Sequence, residues 1–280
     1  MLPGTSPLAL VDEEVPDLAH AAIKHYLSSA HLLGQRTAEM HLALSAGVTD
    51  VAFAPNLQWH VSALGVSDVR SQAGRVFQSL RNVLATLPDE ARADAEHVAR
   101  LENKVLACFQ QIIRLKISAM RTRCHGDFHL GQVLYTGNDF MIIDFEGEPA
   151  RSLSERRRKR SPLIDVAGML RSFHYAAHTA LFKEIEAGII HAEHVAMMQH
   201  WAHYWYMWVS ATFLKSYLAT SSQTVFIPQT REETQVMLNA YLIDKAVYEL
   251  GYELNNRPSW ARIPLWGILQ LLDEQSTSAG

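Results

Sequence analysis

The chain has 280 residues, 48% of them hydrophobic, and a formal net charge of −4, which suits one large or two smaller globular domains with a buried core. The weak acidic balance does not favour nucleic acid or an anionic membrane as a partner. No run of about 18 apolar residues predicts a membrane span. Two cysteines, Cys108 and Cys124, are too few for a disulfide framework. Because residues 1–10 also lack a secretory signal, we expect a reducing, cytoplasmic location.

Helical spacing of apolar residues dominates the first part of the chain. Three helices are predicted there, at about residues 12–46, 67–87 and 88–120. The stretch between the first two, about residues 47–66, is predicted to be a connector. Connectors of this length are uncommon inside compact domains, so we expect part of it to pack against a neighbouring element.

A β-hairpin with polar side chains at its mouth follows the helices. Short β patterns at residues 132–135 and 140–143 are joined by Thr-Gly-Asn-Asp, which is typical of a hairpin turn. Asp127 lies in a loop before the first strand, Gln132 opens that strand, and Asp144 follows the second strand. The hairpin is therefore expected to bring the three side chains close together. One acid for an acceptor hydroxyl, with an amide and a second acid as oxygen ligands for magnesium, indicates phosphoryl transfer.

The rest of the chain is again predicted to be mostly helical. A polar loop covers residues 147–160, and its last ten residues hold six basic side chains. Four helices are predicted after it, at about residues 161–182, 190–218, 230–254 and 259–272. The fold class expected from the whole pattern is α+β, predominantly α-helical, with one small hairpin.

Three segments of the chain resemble a known family. They are His125–Leu134, Ile143–Arg151 and Lys159–Phe173, and Leu33–Ala43 extends the similarity towards the N-terminus. The His-Gly-Asp opening is similar to the small-molecule branch of the protein-kinase-like superfamily, the aminoglycoside phosphotransferase-like enzymes. Within that branch the segments resemble the maltokinases, in particular the kinase part of proteins in which maltokinase is fused to trehalose synthase.

The resemblance implies a fold and a division of the chain. The chain would be the C-terminal lobe of a protein-kinase-like fold, with the hairpin as its catalytic β element. Its division would be a helical part of the lobe at 1–122, the catalytic loop, hairpin and basic loop at 123–160, and a helical acceptor-binding subdomain at 161–280.

The resemblance also implies an activity, which is ATP-dependent, magnesium-assisted phosphorylation of maltose to maltose 1-phosphate for α-glucan synthesis. Its implied partners are maltose, ATP, the N-terminal kinase lobe and a trehalose synthase domain. Two alternatives stay open. One is a kinase for another small hydroxylated or aminoglycoside substrate, and the other is a non-catalytic pseudokinase lobe that serves as a scaffold for trehalose synthase.

The nucleotide-covering lobe of such kinases has no counterpart in the sequence. The glycines before His125 are too far apart for a phosphate-cradling loop, and no strand there carries a lysine. We therefore expect the chain to be a fragment of a longer kinase rather than the product of a truncated gene. Little or no kinase turnover is expected of the chain alone.

Each residue of the proposed site also has a structural alternative. Asp127 is interpreted as the base-like residue that orients the sugar hydroxyl and takes its proton, although a Gly-Asp pair can be only a turn. Gln132 and Asp144 are interpreted as magnesium ligands, although Asp144 could be a turn acid at a strand end. Glu146 lies two residues later and is either a support of this site or an ordinary exposed side chain.

His125 and Asp165 are interpreted as structural support. The resemblance implies that Asp165, at a helix start, braces the catalytic loop. His125 is expected to stabilise this loop by hydrogen bonds. His125 and His129 are four residues apart, but no cysteine or third histidine completes a zinc site, so a structural role is expected for both.

Two further groups are weaker candidates. In the basic run, Arg151 and Lys159 lie inside the family segments and are predicted to be near the phosphates or the acceptor. A solvated surface loop is the alternative there, and a nucleic-acid patch is not supported by the acidic chain. The predicted helix at 190–218 is rich in aromatic residues, most of them expected in the core. Its candidates for holding a sugar are Tyr204, Trp205 and Trp208.

Overall fold

The computed structural model describes residues 6–46, 66–115, 117, 119–149 and 151–278. Within these residues it contains ten α-helices and one two-stranded antiparallel sheet, which confirms the predominantly helical α+β class. The helices are α1 Asp17–Ile23, α2 Tyr26–Ser45, α3 Val66–Val83, α4 Asp89–Arg100, α5 Glu102–Arg114, α6 Leu153–Arg156, α7 Leu163–Glu186, α8 Val195–Ser221, α9 Arg231–Asn256 and α10 Arg262–Ser278. The strands are β1 Val133–Tyr135 and β2 Phe140–Ile142.

The chain divides into two compact units, and the first consists of Met1–Asn56 and Arg121–Ile227. Its core lies where α2, α7 and α8 pack together. Helices α2 and α8 approach closely at Gly34, where a Cβ atom would collide with the backbone carbonyl of Phe213. Among the fully buried side chains, Phe173 of α7 and Phe213 of α8 meet edge to face at 5.7 Å. This unit contains both the hairpin and the loop before it.

The second unit consists of Leu57–Met120 and Pro228–Gly280. Helix α9 packs against α3, α5 and α10. Its N-terminus is capped by Thr230, whose side chain accepts a hydrogen bond of 3.1 Å from the N–H of Glu233. The two units divide the chain differently from the functional division at residues 122 and 160. That functional division stays a prediction.

Several helix boundaries differ from the sequence prediction. The helix expected over 12–46 is interrupted at Lys24, whose φ of 57° is left-handed, and the helix expected over 88–120 is split at Leu101 and ends at Arg114. The polar loop contains the short helix α6, which has a complete Ser152–Glu155 capping box. That Ser-x-x-Glu signal was visible in the sequence. The connector predicted at 47–66 lies outside the described residues, apart from Val66, where α3 begins.

The hairpin has the predicted position and is slightly shorter. Val133 pairs with Ile142, Leu134 with Met141, and Tyr135 with Phe140. The N–H of Ile143 donates to the carbonyl of Gln132 at 3.0 Å and closes the open end. Each strand has only three residues, and such a small sheet depends on contacts with the rest of the unit for its stability.

Candidate active site

The loop before the hairpin is anchored by a buried carboxylate at the start of α7. One oxygen of Asp165, Oδ2, accepts hydrogen bonds from the N–H of His125 at 2.7 Å and from Nε2 of His41 at 3.0 Å. The other, Oδ1, accepts from the N–H of Gly126 at 2.9 Å. Burial would raise the pKa of Asp165, but the hydrogen bond and charge of His41 and the bond from Gly126 outweigh it and lower this pKa. The anchor is therefore an ionised carboxylate with hydrogen bonds to both of its oxygen atoms.

The anchor continues inward through two further buried side chains. His41 of α2 is fully buried, and its Nδ1 lies 3.0 Å from the hydroxyl of Tyr217 of α8. An ionised carboxylate only accepts hydrogen bonds, so Nε2 of His41 carries the hydrogen that faces Asp165. Nδ1 and the Tyr217 hydroxyl share the second hydrogen bond of the ring, in which either atom can be the donor. Every polar atom of this inner chain thus has a partner, as buried polar groups require.

One face of α7 supports the loop along its length. Asp165, Gly168 and Ser172 are three and four residues apart, so they lie on the same side of the helix. The Oγ of Ser172 accepts from the N–H of Leu130 at 2.9 Å. A Cβ atom on Gly168 would stand 2.5 Å from the carbonyl oxygen of Phe128, so only glycine allows this approach. The loop that carries Asp127 is therefore seated directly on α7.

His125 connects this loop to the end of the hairpin. Its Nε2 donates to the carbonyl of Ile143 at 2.8 Å, and its ring lies 4.9 Å from the ring of Phe145. The N–H of Asp127 faces Nδ1 of the same imidazole at 3.4 Å. Because Ile143 and Phe145 flank Asp144, His125 links the backbone around Asp127 to the backbone around Asp144.

The two predicted metal ligands are in direct contact. Nε2 of Gln132 lies 3.1 Å from Oδ2 of Asp144. Asp144 has a φ of 65°, a left-handed conformation that an aspartate tolerates better than most residues, and its side chain is exposed at the mouth of the hairpin. The carboxylate of Asp127 is only 17% exposed, and its Oδ2 is 3.9 Å from Nε2 of His129. The arrangement joins Gln132 to Asp144 directly and Asp127 to both through the His125 loop.

This donor set fits magnesium better than zinc. Within the described residues, no group of three or more His, Cys, Asp or Glu side chains is arranged to hold a metal ion. Magnesium needs fewer protein ligands, because it keeps water and binds substrate phosphates through its remaining positions. The carboxylate of Asp144 and the carboxamide of Gln132 offer the hard oxygen atoms that it prefers.

The contacts within the basic loop are made by Arg156, which was not one of the two basic residues predicted to lie near the phosphates. Arg156 donates to the carbonyls of Arg151 at 2.9 Å and Pro149 at 2.8 Å, and it lies 3.7 Å from Glu146. Glu146 is exposed apart from this contact. Arg156 thus folds the segment after Asp144 back onto itself. The roles of Arg151 and Lys159 near phosphates stay predictions.

The three aromatic candidates for sugar binding belong to the helix packing. Tyr204 and Trp208 are buried, and the ring of Trp205 lies 5.1 Å from Tyr26 and 6.4 Å from Phe173. These contacts are those of core residues, which was the alternative interpretation. A role for them in sugar binding stays a prediction.

A sequence profile of the phosphotransferase enzyme family matches residues 33–188, more than half of the chain. The chain belongs to this family. The match covers the loop, the hairpin, helix α7 and the part of α2 from residue 33 onwards. Membership supports the aminoglycoside phosphotransferase-like branch expected from the sequence, whereas the maltokinase subfamily is not identified by it.

Two curated relatives of this phosphotransferase chain are glucosamine kinases. The one from Streptacidiphilus jiangxiensis is 24% identical over 251 residues, which are 89% of this chain and 50% of the relative. The one from Mycolicibacterium smegmatis is 23% identical over 280 residues, which are 98% of this chain and 60% of the relative. The chain therefore spans about half to three-fifths of the length of these relatives.

Solved structures show the same fold. A glucosamine kinase in crystal form A matches all of this chain and 61% of its own, with a TM-score of 0.69 and 20% identity. A glucosamine kinase in complex with glucosamine, ADP and inorganic phosphate matches 99% of this chain and 64% of its own, with a TM-score of 0.68 and 21% identity. At this identity the likeness concerns the fold alone. In the described part of the chain, no helix has the length and apolar character needed to cross a membrane.

Sequence reasoning missed several residues that hold the site. Arg36 and His41 lie inside the Leu33–Ala43 segment of the resemblance. Helical spacing alone could not predict that Arg36 contacts Asp139, 103 residues later, or that His41 contacts Asp165, 124 residues later. The spacing of Asp165, Gly168 and Ser172 on α7 was a readable signal, because a helix face with Asp, Gly and Ser is unlike the apolar face around it. Tyr217 had no such signal among the other aromatic residues of α8.

Proposed function

We propose that this chain is the catalytic part of an ATP-dependent sugar kinase. The observation that carries the proposal is the 3.1 Å contact between Gln132 and Asp144 at the mouth of a hairpin. The hydrogen bond of 2.8 Å from His125 to Ile143 ties the Asp127 loop to that same mouth. Membership of the phosphotransferase enzyme family agrees with this arrangement.

In the proposed reaction, Asp127 receives the acceptor hydroxyl of the sugar. Its carboxylate orients the hydroxyl oxygen towards the terminal phosphorus of ATP and takes the hydroxyl proton. The new bond from the sugar oxygen to this phosphorus forms as the bond from the phosphorus to the bridging oxygen of ADP breaks, and ADP leaves. Because the transition state of phosphoryl transfer is loose, positioning contributes more than the basicity of this group. The buried Asp165 network keeps the loop in one position, so the acceptor oxygen is held without rearrangement.

Gln132 and Asp144 would hold magnesium in this proposal. When bound, Mg²⁺ neutralises negative charge on the phosphate groups. The contribution of the chain itself is to present the side-chain amide of Gln132 beside the carboxylate of Asp144 at one point of the hairpin. The left-handed backbone at Asp144 directs the chain sharply after the strand, and Arg156 then folds the following segment back towards Pro149.

Glucosamine is the first candidate for the acceptor. Both curated relatives described above are glucosamine kinases, and one of them matches 98% of this chain. The identity of 23–24% and the partial coverage of these relatives make the substrate a proposal for this chain.

Maltose is the second candidate, and three sequence segments favour it. His125–Leu134, Ile143–Arg151 and Lys159–Phe173 resemble the maltokinases, whose product is maltose 1-phosphate. A fusion to trehalose synthase and a link to α-glucan synthesis belong to this second proposal. ATP as donor and magnesium as the metal are common to both candidates.

An acceptor panel tests the proposal and separates the candidates. The protein would be incubated with ATP and magnesium and, in separate reactions, with glucosamine, maltose, glucose, choline or kanamycin. The phosphorylated product would be identified by mass spectrometry and its position of attachment by ³¹P–¹H NMR. We expect a sugar phosphate, with glucosamine giving the highest kcat/KM. Product from choline or kanamycin alone would contradict sugar specificity.

The form of the protein in this assay matters. We expect the 280-residue chain alone to give little turnover, and the kinase-active protein that contains it to give the full rate. If no acceptor is phosphorylated by either form, the non-catalytic scaffold remains as the explanation. In that case the chain should bind a trehalose synthase domain, which a co-purification experiment with both purified proteins would measure.

A further inference from the structure

The hairpin that carries Gln132 and Asp144 is small and incompletely packed. Between it and α2 lies an open cleft of about 280 Å³, lined mainly by apolar side chains. The lining residues are Arg36, Met40, Ala43, Leu44, Phe140, Ile142 and Phe145. On the hairpin itself, Leu134, Tyr135 and Met141 are at least half exposed. Apolar contact with α2 is therefore too limited to hold such a short sheet alone.

One charged contact bridges this cleft at the turn of the hairpin. The guanidinium of Arg36, on α2, donates through Nε to Oδ1 of Asp139 at 2.7 Å and through a terminal nitrogen to Oδ2 at 3.0 Å. This two-pronged geometry fixes the direction of the carboxylate as well as its distance. The arginine is itself held by Glu39 on its own helix at 2.7 Å.

Asp139 passes this restraint to the strands. Its Oδ1 also accepts from the N–H of Phe140 at 2.7 Å, and its carbonyl accepts from the N–H of Thr136 at 2.9 Å. The pKa of Asp139 is lowered, first by the hydrogen bond from Arg36 and then by the backbone bond from Phe140. The carboxylate is thus a fixed point that joins both ends of the turn to α2.

We propose that Arg36 is a positioning residue of the kinase reaction, because its contact with Asp139 fixes the turn of the hairpin and thereby the placement of Gln132 and Asp144 at the opposite end. The inference rests on the proposed function of that pair. Arg36 does not touch the reacting groups in this proposal. It acts through the hairpin, whose two strands have three residues each.

The first test measures the hairpin without any activity. Amide hydrogen exchange of the 280-residue chain would be followed by mass spectrometry on peptides that cover residues 133–143. In Arg36→Gln and in Asp139→Asn, we expect this segment to exchange about tenfold faster than in the wild-type chain. Peptides from α7 and α8 should keep their wild-type rates.

A matched control is available in the second unit. Arg81 forms a contact of 2.6 Å with Glu102 and is 39% exposed, compared with 30% for Arg36. Arg81→Gln therefore removes a similar charged contact far along the chain from the hairpin. It should leave exchange of residues 133–143 unchanged. Equal acceleration in Arg36→Gln and Arg81→Gln, or none in either, would overturn the proposal.

The second test measures catalysis in the kinase-active protein. We expect Arg36→Gln and Asp139→Asn each to lower kcat about tenfold, with a KM for the sugar within about twofold of wild type. The double variant should be no worse than either single variant, because both remove the same contact. Arg36→Lys should fall between wild type and Arg36→Gln, since lysine keeps the charge but not the planar fork.

The outcomes of the two tests separate this inference from the proposed function. If the wild-type protein phosphorylates no sugar, the proposed function fails, while the exchange rates still decide whether Arg36 holds the hairpin. Faster exchange with an unchanged kcat would refute the positioning role and leave the kinase function intact. If Arg36→Gln accelerates exchange throughout the chain, Asp139→Asn replaces it as the test variant, because it leaves α2 unchanged. Faster exchange confined to residues 133–143 in Asp139→Asn would then support the role of the contact, and unchanged exchange there would overturn it.

Discussion

The loop that carries Asp127 and the hairpin belong to the same candidate site but are held in opposite ways. The loop is fixed from inside, by Asp165 and His41, which are buried and fully hydrogen bonded. The hairpin is fixed from outside, by the partly exposed pair Arg36 and Asp139. His125 connects the two, because its backbone N–H donates to Asp165 and its imidazole Nε2 donates to the carbonyl of Ile143.

The difference indicates which part of the site is rigid and which can adjust. A buried hydrogen bond is costly to break, because the partner that is left without it cannot form a hydrogen bond with water instead. An exposed ion pair is weaker, since solvent and salt screen it and its side chains are mobile. The proposed base on the loop is therefore held firmly, whereas the proposed metal ligands are on an element whose position depends on a few surface contacts.

The largest effect is expected where the buried anchor is removed. Asp165→Ala leaves His41 and the N–H groups of His125 and Gly126 without their acceptor, and should lower the free energy of unfolding by about 3 kcal/mol or more. Chemical denaturation followed by circular dichroism would measure this. As the comparison, Asp139→Asn on the hairpin should change the unfolding free energy by far less. Equal effects of the two variants would remove the distinction between the regions.

The same anchor should give a defined pH dependence. The pKa of Asp165 is lowered in the folded chain, so its contribution to stability is present above the ordinary carboxyl pKa of about 4. It is lost as the pH falls through the lower folded pKa. The stability difference between wild type and Asp165→Ala should therefore be constant near neutral pH and shrink in strong acid. A difference that grows in acid would contradict this sign.

The next effect concerns activity at the mouth of the hairpin. Asp144→Asn keeps the shape of the side chain and tolerates the left-handed backbone, but removes the charge that would bind magnesium. In the kinase-active protein, kcat should fall about 100-fold, and the magnesium concentration for half-maximal rate should rise. The unfolding free energy should stay near that of wild type. Glu146→Gln, two residues later and exposed, is the control and should retain most of the activity.

The smallest effect is expected at the inner end of the anchor. Tyr217→Phe removes the hydroxyl that is hydrogen bonded to Nδ1 of His41 and leaves this buried nitrogen without that partner, at a cost of about 1–2 kcal/mol. Because the bond from His41 to Asp165 remains, the loop should keep its position and kcat should change less than about threefold. Thermal unfolding and steady-state kinetics would measure the two quantities. A large loss of kcat with little loss of stability would show that Tyr217 acts on the loop itself.

The sequence predicted the local features of this site better than its distant contacts. The hairpin was predicted because alternating apolar residues and turn residues are adjacent in the chain. The interruptions at Lys24 and Leu101 were missed because apolar spacing continues across them, while the backbone departs from the helix at single residues. The spacing of apolar residues indicates which face of a helix is buried. It gives little information about the residue at which the helix ends.

The contacts that hold the site could not be predicted from local sequence patterns, because they join residues that are far apart in the chain. Asp165 could be interpreted as a brace only through the resemblance, and its partner His41 lies 124 residues earlier. Arg36 and Asp139 are both ordinary surface residue types, and only their meeting across 103 residues gives them a role. Aromatic residues of α8 were proposed for the sugar from their chemistry. Their burial depends on how α2, α7 and α8 pack, which the sequence of one helix does not contain.

The most direct test of the central claim is the turnover of Asp127→Asn beside wild type in the kinase-active protein, with ATP, magnesium and the best sugar of the acceptor panel. Asparagine preserves the size of the side chain and the loop, but its uncharged amide neither orients the hydroxyl as the carboxylate does nor takes the hydroxyl proton. The account predicts that kcat falls by at least about 1,000-fold, with wild-type thermal stability and an ATP affinity within a few fold of normal. Turnover within about tenfold of wild type would contradict the claim that this loop presents the sugar hydroxyl for phosphoryl transfer.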